Sequence, residues 1–396
     1  MLLAALILLG CWVYCVLAIA GAVLHARSHG NLDCKQQTAI SVLKPLSGGD
    51  DGLEDNLRSF FEQDYKNYEL LFAVRHEDDS AVPVVRRLMR QYPAVQSKLI
   101  VTGEPPYPHA KVFSLQTMLD ESRHDLVVMS DSDVRVGRDF CWRMATEFAD
   151  TRLGLVTCPY RAIAGRAIWS RLEAIGMNTD FHAGVFTAVM MEGAKFAIGP
   201  TIVARKNVLN ALGGIQRVKD YLSSEDFMLG RIAAELGFVV RLSPYIVEHR
   251  IGSQGMKANF LHRLRWARTS RRSRPLGYIG QFFTHSLAVT LLMCLLSPSC
   301  WRLLLVSVVF RIMTAWTVSE KTLRARIPWL LLPLQDFVGF AFWIAGFFGN
   351  SIYWRGERYV LNRDGTVQIA GAFMESNGPF LDAQLAPYPP QGDAHR

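Results

Sequence analysis

Two aspartates one residue apart, Asp131 and Asp133, follow a run of apolar residues in VVMSDSDV (127–134). A buried strand favours Val and Met and rejects charge, so the strand ends where the carboxylates begin. In an open parallel sheet, ligands bind at the carboxyl ends of the strands. With one residue between them on extended backbone, both side chains point to the same side. Two converging carboxylates call for a cation. Hard oxygen ligands suit Mg²⁺ or Mn²⁺, which would also hold a diphosphate. Taken alone, Asp-Ser-Asp reads more readily as a solvated turn, so the pair gains meaning only from its companions.

Asp78-Asp79 follow ELLFAVR at a second strand end. A carboxylate there can accept hydrogen bonds from a nucleotide base or ribose. The plain alternative is a turn in which Asp79 or Ser80 caps the helix starting near Val82. Lys111, in HAK, can neutralise phosphate or stand solvated on a helix. Glu225-Asp226 opens a helix after Ser223-Ser224. Capping and dipole compensation account for acids at that place, and so does a general base at the mouth of a site. In HRLRW (262–266), Arg265 is a candidate diphosphate clamp and Trp266 an apolar wall at a membrane edge. The alternative is that both belong to a lipid-facing basic helix.

These residues need a scaffold. From Ile40 to about Tyr245, strand-like stretches at 41–46, 69–74, 98–103, 125–130, 154–160 and 239–244 alternate with helical patterns at 53–63, 82–92, 109–123 and 225–237. Residues 194–206 read as paired strands around Gly199-Pro200. The alternation implies an α/β domain with a mostly parallel sheet and helices on both faces. The stretch 166–192, with Trp169, Leu172, Phe181 and Phe186, reads first as core packing and second as the lining of a lipid path.

Half of the 396 residues are apolar, concentrated at the two ends, and the net charge is +8. A basic balance suits an anionic membrane, nucleic acid or phosphorylated substrates. The cationic clusters adjoin apolar spans, so the bilayer is the expected partner and nucleic acid is not. Residues 2–24 carry no charge, and ~20 apolar residues suffice to cross a bilayer. The run is long for a signal peptide and no Lys or Arg precedes it. Arg27 and Lys35 follow it, which puts the N-terminus outside and the rest in the cytoplasm. Residues 257–274 interleave Lys257 and a series of arginines with Phe260, Leu261, Leu264 and Trp266, the pattern of a helix lying in a membrane interface. Apolar spans follow at about 281–298, 301–318 and 328–349. Arg311 in the second and Asp336 in the third need partners. A basic tail kept in the cytoplasm makes one of the three re-entrant or interfacial, and Pro328, Pro333 and Asp336 point to 328–349.

The expected divisions are an anchor (1–26), a catalytic domain (38–256), a basic interfacial helix (257–279), membrane segments (280–350) and a cytoplasmic tail (351–396) that ends in a Pro-rich, disordered stretch. Seven cysteines without metal-ligand spacing read as reduced thiols.

The order DD, DSD, ED and xxxRW, flanked by membrane spans, resembles the family 2-type nucleotide-sugar glycosyltransferases of GT-A fold, and most closely the ceramide glucosyltransferase family. The stretches that carry the resemblance are SVLKPLSG (41–48), NLRSFFEQDYKNYELLFAVRHEDD (56–79), AKVFSLQTML (110–119), DLVVMSDSDVRV (125–136), SSEDFMLG (223–230), HRLRWAR (262–268) and SIYWRGERYVL (351–361). The resemblance covers roughly residues 1 to 365. It implies that Asp79 binds nucleotide, that Asp131 and Asp133 form the metal motif, and that Asp226 is the catalytic base. Arg265 and Trp266 match the end of a (Q/R)xxRW motif, whose first position here is His262, a donor whose charge depends on pH.

The implied reaction is inverting transfer of glucose from UDP-glucose to the primary hydroxyl of ceramide. Mg²⁺ or Mn²⁺ would stabilise departing UDP, and an α-linked donor would give a β-glycoside. A rival on the same fold is transfer of N-acetylglucosamine from UDP-N-acetylglucosamine to a hopanoid polyol. A processive polysaccharide synthase would need more spans. A non-catalytic membrane scaffold sits poorly with DSD, ED and RW occurring together. Composition and motif style favour a bacterial inner membrane over a Golgi face, with the catalytic domain in the cytoplasm.

Overall fold

The computed structural model describes residues 2–28, 38–49, 51–354 and 357–370. Most of the linker and the Pro-rich end of the tail lie outside the described residues. After the long apolar helix α1 (Leu2–Arg27), the chain alternates β1 (Ile40–Pro45), α2 (Leu53–Phe61), β2 (Tyr68–Val74), α3 (Ala81–Gln91), β3 (Gln96–Val101), α4 (Ala110–Glu121) and β4 (Leu126–Ser130). β1 pairs in parallel with β2 and β4, and β2 with β3. β2 and β4 are buried along their whole length, and β1 in all but its last residue. This is why they read as unbroken apolar runs rather than alternating ones.

Beyond β4 come β5 (Val134–Arg135), α5 (Phe140–Glu147), β6 (Leu153–Thr157), β7 (Tyr160–Ala164), α6 (Ile168–Gly176), a π-helical turn (Met177–Phe181) and α7 (His182–Glu192). β8 (Thr201–Arg205), α8 (Lys206–Ala211), α9 (Glu225–Glu235), β9 (Val239–Leu242) and β10 (Val247–Gly252) complete the domain. The main sheet runs β3-β2-β1-β4-β8-β6-β9, with β8 antiparallel to both neighbours. A small sheet, β5-β10-β7, sits beside it. One core packs α2, α3, α5 and α7 against the sheet, and the other packs α4, α8 and α9.

Two expectations change. The single strand expected at 154–160 divides into β6 and β7 at Cys158-Pro159, each joining a different sheet. The expected strand pair at 194–206 is only β8. Residues 194–200 instead lie against α9, where a Cβ on Gly230 would come within 2.2 Å of the Ala197 backbone nitrogen. Backbone against backbone at that range leaves no room for a strand partner.

The basic stretch is one helix, α10 (Met256–Ser273), followed by α11 (Pro275–Gly280), α12 (Ser286–Leu296), α13 (Trp301–Ala315) and α14 (Leu332–Gly346). Among the described residues, Ala5–Arg27, Trp301–Thr322 and Trp329–Gly346 are long and apolar enough to cross a membrane. The segment 275–296 is bent by 61° at its break, as in a broken span or a re-entrant loop, whereas Trp329–Gly346 is long and apolar enough to cross by itself. The prolines of the latter fall in its first turns, where a missing N–H costs little. Asp336 is no obstacle either, because it meets Arg311 in a bidentate ion pair with contacts of 2.9 and 3.0 Å to Nε. Arg311 also reaches Asp180 of the π-helical turn at 2.9 Å.

α1 lies along α7. A Cβ on Gly21 would stand 2.7 Å from the Phe186 carbonyl oxygen, and the His25 ring stacks on Phe186 at 4.7 Å. The start of the expected tail is also folded onto the domain. β11 (Ser351–Trp354), β12 (Glu357–Leu361) and β13 (Val367–Ile369) form an antiparallel sheet packed on Leu222.

Candidate active site

Parallel strands bring the carboxyl ends of β1, β2 and β4 to one edge of the sheet. Asp131 follows β4 directly, and its amide donates to the Pro200 carbonyl at 3.1 Å. The Arg250 amide of β10 donates to the Asp133 carbonyl at 2.7 Å, which pins the DSD turn from the other side. Beneath it lies Lys44, a lysine inside a buried strand. Its ammonium donates to the Asp131 carbonyl oxygen and lies 4.1 Å from the Phe60 ring centre.

Asp131 lines one small pocket with Lys111, Gly199, Glu225 and Asp226. Lys111 Nζ stands 2.7 Å from Asp131 Oδ1 and 3.2 Å from Glu225 Oε1. His109 Nε2 is 3.5 Å from the other Glu225 oxygen. Asp226 is wedged against Gly199, where a Cβ would come within 2.9 Å of Asp226 Oδ2. Asp133 turns the other way, to His249 Nε2 at 3.0 Å, and its Oδ1 is buried without a partner. Each aspartate of the pair keeps 30% of its side chain exposed, so both are within reach of a ligand.

These contacts set the charges. Burial favours a neutral Glu225, but Lys111 and His109 outweigh it and hold the carboxyl well below its usual range. Burial likewise opposes the charge on Lys111, and Asp131 and Glu225 overcome it. Lys111 pulls on Asp226 as well, but too weakly to offset what raises it. Burial first, and then the charge of Glu225, push it up to about 7. Asp131 is raised by burial and by Asp133 against the pull of Lys111, whereas Asp133 is lowered because His249 outweighs its burial. Neighbouring acids are thus driven apart, with one ionised throughout and one basic near neutral pH.

The fit to a divalent cation rests on Asp131 and Asp133. Among the described residues no cluster of three His, Cys, Asp or Glu side chains could hold a metal alone. The half-buried carboxylates of Asp131 and Asp133, the latter with its Oδ1 unpartnered, are hard oxygen donors. They leave the rest of the shell to phosphate oxygens and water, as Mg²⁺ sites commonly do.

The other sequence-derived candidates are spread more widely. Asp79 closes the β2 end, where its carboxylate accepts from the amides of Gly48 at 3.0 Å and Ala81 at 2.8 Å. It therefore does cap α3 and also ties the β1 and β2 loops together. His262 is bound to Glu173 (2.7 Å) and packs on the Trp266 ring. Trp266 joins the domain core, and the Arg265 guanidinium lies 4.1 Å over the Trp354 ring of β11. The RW pair thus joins α10 to the C-terminal sheet, which packs on Leu222 just ahead of Glu225-Asp226.

Lys44, His109, Glu173 and His249 escape a sequence reading. Only Lys44 leaves a trace, as a lone charge in SVLKPL. His249 sits in an ordinary alternating strand.

A model of glycosyl transferase family 21 matches residues 3–367. Two curated relatives from Caenorhabditis elegans match the chain. "Ceramide glucosyltransferase 3" is 29% identical over 231 residues, covering 58% of this chain and 50% of the relative. "Ceramide glucosyltransferase 1" is 30% identical over 208 residues, covering 52% and 44%. The chain spans about half the length of these relatives. Among solved structures, a mannosyltransferase from Pyrobaculum calidifontis in complex with GDP-Man and Mn²⁺ matches with a TM-score of 0.51 at 16% identity, over 87% of this chain and 96% of that one. At that identity the likeness speaks for the fold alone.

Proposed function

This chain belongs to glycosyl transferase family 21, and from that premise we propose that it transfers glucose from UDP-glucose to the primary hydroxyl of ceramide with inversion at the anomeric carbon. The observation that carries the reading is Asp226, pushed up to about 7 and lining one pocket with the linked side chains of Asp131, Lys111 and Glu225. A base at that value is ionised enough to act at neutral pH and basic enough to draw a proton from an alcohol. Relatives that carry the name ceramide glucosyltransferase support the choice of donor and acceptor.

Asp226 takes the acceptor proton as the hydroxyl oxygen attacks the anomeric carbon from the face opposite UDP. One carbon–oxygen bond forms as the other breaks, and UDP leaves with the electron pair. Lys111 holds positive charge at the pocket mouth before the donor arrives and can transfer its contact from Asp131 to a phosphate oxygen. Asp79 presents carboxylate oxygens at the neighbouring strand end for ribose or base. Arg265 and Trp266 close the membrane side of the site, and His262, held by Glu173, braces Trp266. A divalent cation, held by Asp131 and Asp133, would supply neutralisation of the diphosphate. The domain would face the cytoplasm of a bacterial inner membrane, with α10 at the headgroup level.

The test is product formation by detergent-solubilised protein with Mg²⁺ or Mn²⁺. UDP-glucose, UDP-galactose and UDP-N-acetylglucosamine are each offered against ceramide and a hopanoid polyol. Glucosylceramide, lost in Asp131→Ala and Asp226→Asn, is the expected result. Transfer of N-acetylglucosamine to the polyol alone would overturn the substrates and keep the mechanism. No transfer from any donor would overturn the reading.

A further inference from the structure

A cavity of about 470 Å³ lies between the end of α1, one side of α7 and strand β9. It shares no residue with the pocket of Asp131 and Asp226. Sites for small ligands span roughly 300–1,000 Å³, so it has the size of one. Val240, Arg241 and Leu242 all border it. The faces of a strand take alternate residues, so three in a row meet a cavity along the strand's edge. β9 is the last strand of the main sheet, and an open edge calls for a cover.

The walls are apolar at Leu24, Phe186, Val189 and Met190. Glu147, which also lines the cavity, breaks that pattern and is 3% exposed. The Ser243 hydroxyl accepts from the Tyr245 amide at 3.0 Å and donates its one proton to Glu147 Oε1. Glu147 Oε2 has no partner. Burial pushes this carboxyl up to about 7. In its neutral form the proton therefore sits on Oε2, a buried donor that is costly to leave without an acceptor.

The cavity also has a depth. Leu24 ends the charge-free run 2–24 and is 54% exposed. Arg27 and Ser28 follow, both exposed, and Lys195 stands exposed beside Ala194 of the lining. The mouth thus lies where the apolar core of a bilayer gives way to its headgroups. A leaflet lipid there offers an acyl chain, an ester carbonyl and a phosphate. Apolar walls, a buried donor and exposed cations are the counterparts of the three.

We propose that this cavity binds one acyl chain of a glycerophospholipid, with an ester carbonyl accepting from Glu147 Oε2 and the phosphate facing Arg27 and Lys195. The lipid covers the edge of β9 and fills the gap between it and α1, so it helps to hold the helix on the domain.

The test uses the full chain, delipidated in detergent, and measures binding of phosphatidylglycerol with ester-linked or ether-linked chains. The ether form lacks the carbonyls. The wild type should bind the ester form about tenfold more tightly, the scale of one hydrogen bond to a buried group. Glu147→Leu should bind the two forms alike, and Glu147→Gln, whose amide can donate, should keep the preference. Val189→Trp fills the cavity and should weaken both by about tenfold or more, with a cooperative melting transition to show that each variant is folded. A second measurement needs no variant. Phosphatidylglycerol with a diazirine in one chain, in bilayer nanodiscs, should label residues 24–28 and 186–190. Equal binding of the ester and ether forms by the wild type, or labelling confined to other segments, would overturn the proposal. So would labelling of the cavity by a diazirine ceramide in preference to the phospholipid, which would make it a site for the acceptor.

Discussion

Substituting Glu225 by Gln should change the pH profile of the reaction in a direction that the geometry fixes. In the wild type, Asp226 is pushed up to about 7, first by burial and second by the charge of Glu225. Under the proposed mechanism the ionised Asp226 does the work, so turnover should be half its plateau near that value and fall about tenfold per pH unit below it. Gln keeps the shape of Glu225 and removes its charge. A unit charge a few ångströms away, at an effective dielectric of about 20, is worth about 2–4 kcal/mol, or about 1.5–3 pH units. Part of this is returned, because Lys111, freed from Glu225, moves its pull toward Asp131. The acid limb of Glu225→Gln should therefore lie at least about one unit lower than in the wild type, with a lower plateau because a weaker base removes the proton less well. The assay is UDP release by solubilised protein, at saturating donor and acceptor, between pH 5 and 9. Asp226→Asn is the control and should lose turnover by about 10²–10⁴-fold with no titrating limb left. An acid limb that stays in place in Glu225→Gln, or that moves up, would refute the coupling of the two acids.

Three further outcomes follow from the packing. Glu147 is 3% exposed with one carboxylate oxygen unpartnered, and burial pushes it up to about 7. A carboxyl raised on folding stabilises the fold at low pH and loses that contribution as pH rises from its unfolded value through about 7. The wild type minus Glu147→Gln difference in unfolding free energy should thus fall by about 3 kcal/mol between pH 4 and 8, read from denaturant midpoints. Lys44→Met removes the buried ammonium from the Asp131 carbonyl and should cost about 1.5–3 kcal/mol of stability, while raising the Mn²⁺ concentration needed for half-maximal turnover. Gly230→Ala must push α9 off the 196–197 backbone, lowering stability by about 1–3 kcal/mol and displacing Asp226, so turnover and melting temperature should drop together.

The site's skeleton was legible because it is local. Asp131 and Asp133 end an apolar strand, and Glu225-Asp226 starts a helix, so each announces itself within a few residues. The partners were not legible because they come from afar. His249 reaches Asp133 from more than a hundred positions away, and Arg311 finds Asp336 only once two membrane helices pack. Asp79 bears out the plain reading, a capping carboxylate, while it also sits at a strand end beside the Gly48 loop. The stretch 194–200 misled because its Phe and Ala alternate as a strand would, while the bareness of Gly230 decided its place. Bent spans are harder still. Prolines drew attention to 328–349, but the bend lies at the break in 275–296.

The first membrane helix has a practical consequence for anyone who would handle this enzyme in water. Its Gly21 face lies directly on the backbone of α7, its His25 ring covers Phe186, and the Ala22 carbonyl accepts a hydrogen bond from Thr322. It therefore acts as a wall of the catalytic domain and not as a leash. Trimming the chain after residue 28 would peel a buried surface off α7 and leave a sticky, partly unfolded remnant. Replacing the helix with an unrelated anchor of equal length would restore attachment to the bilayer without restoring the fold.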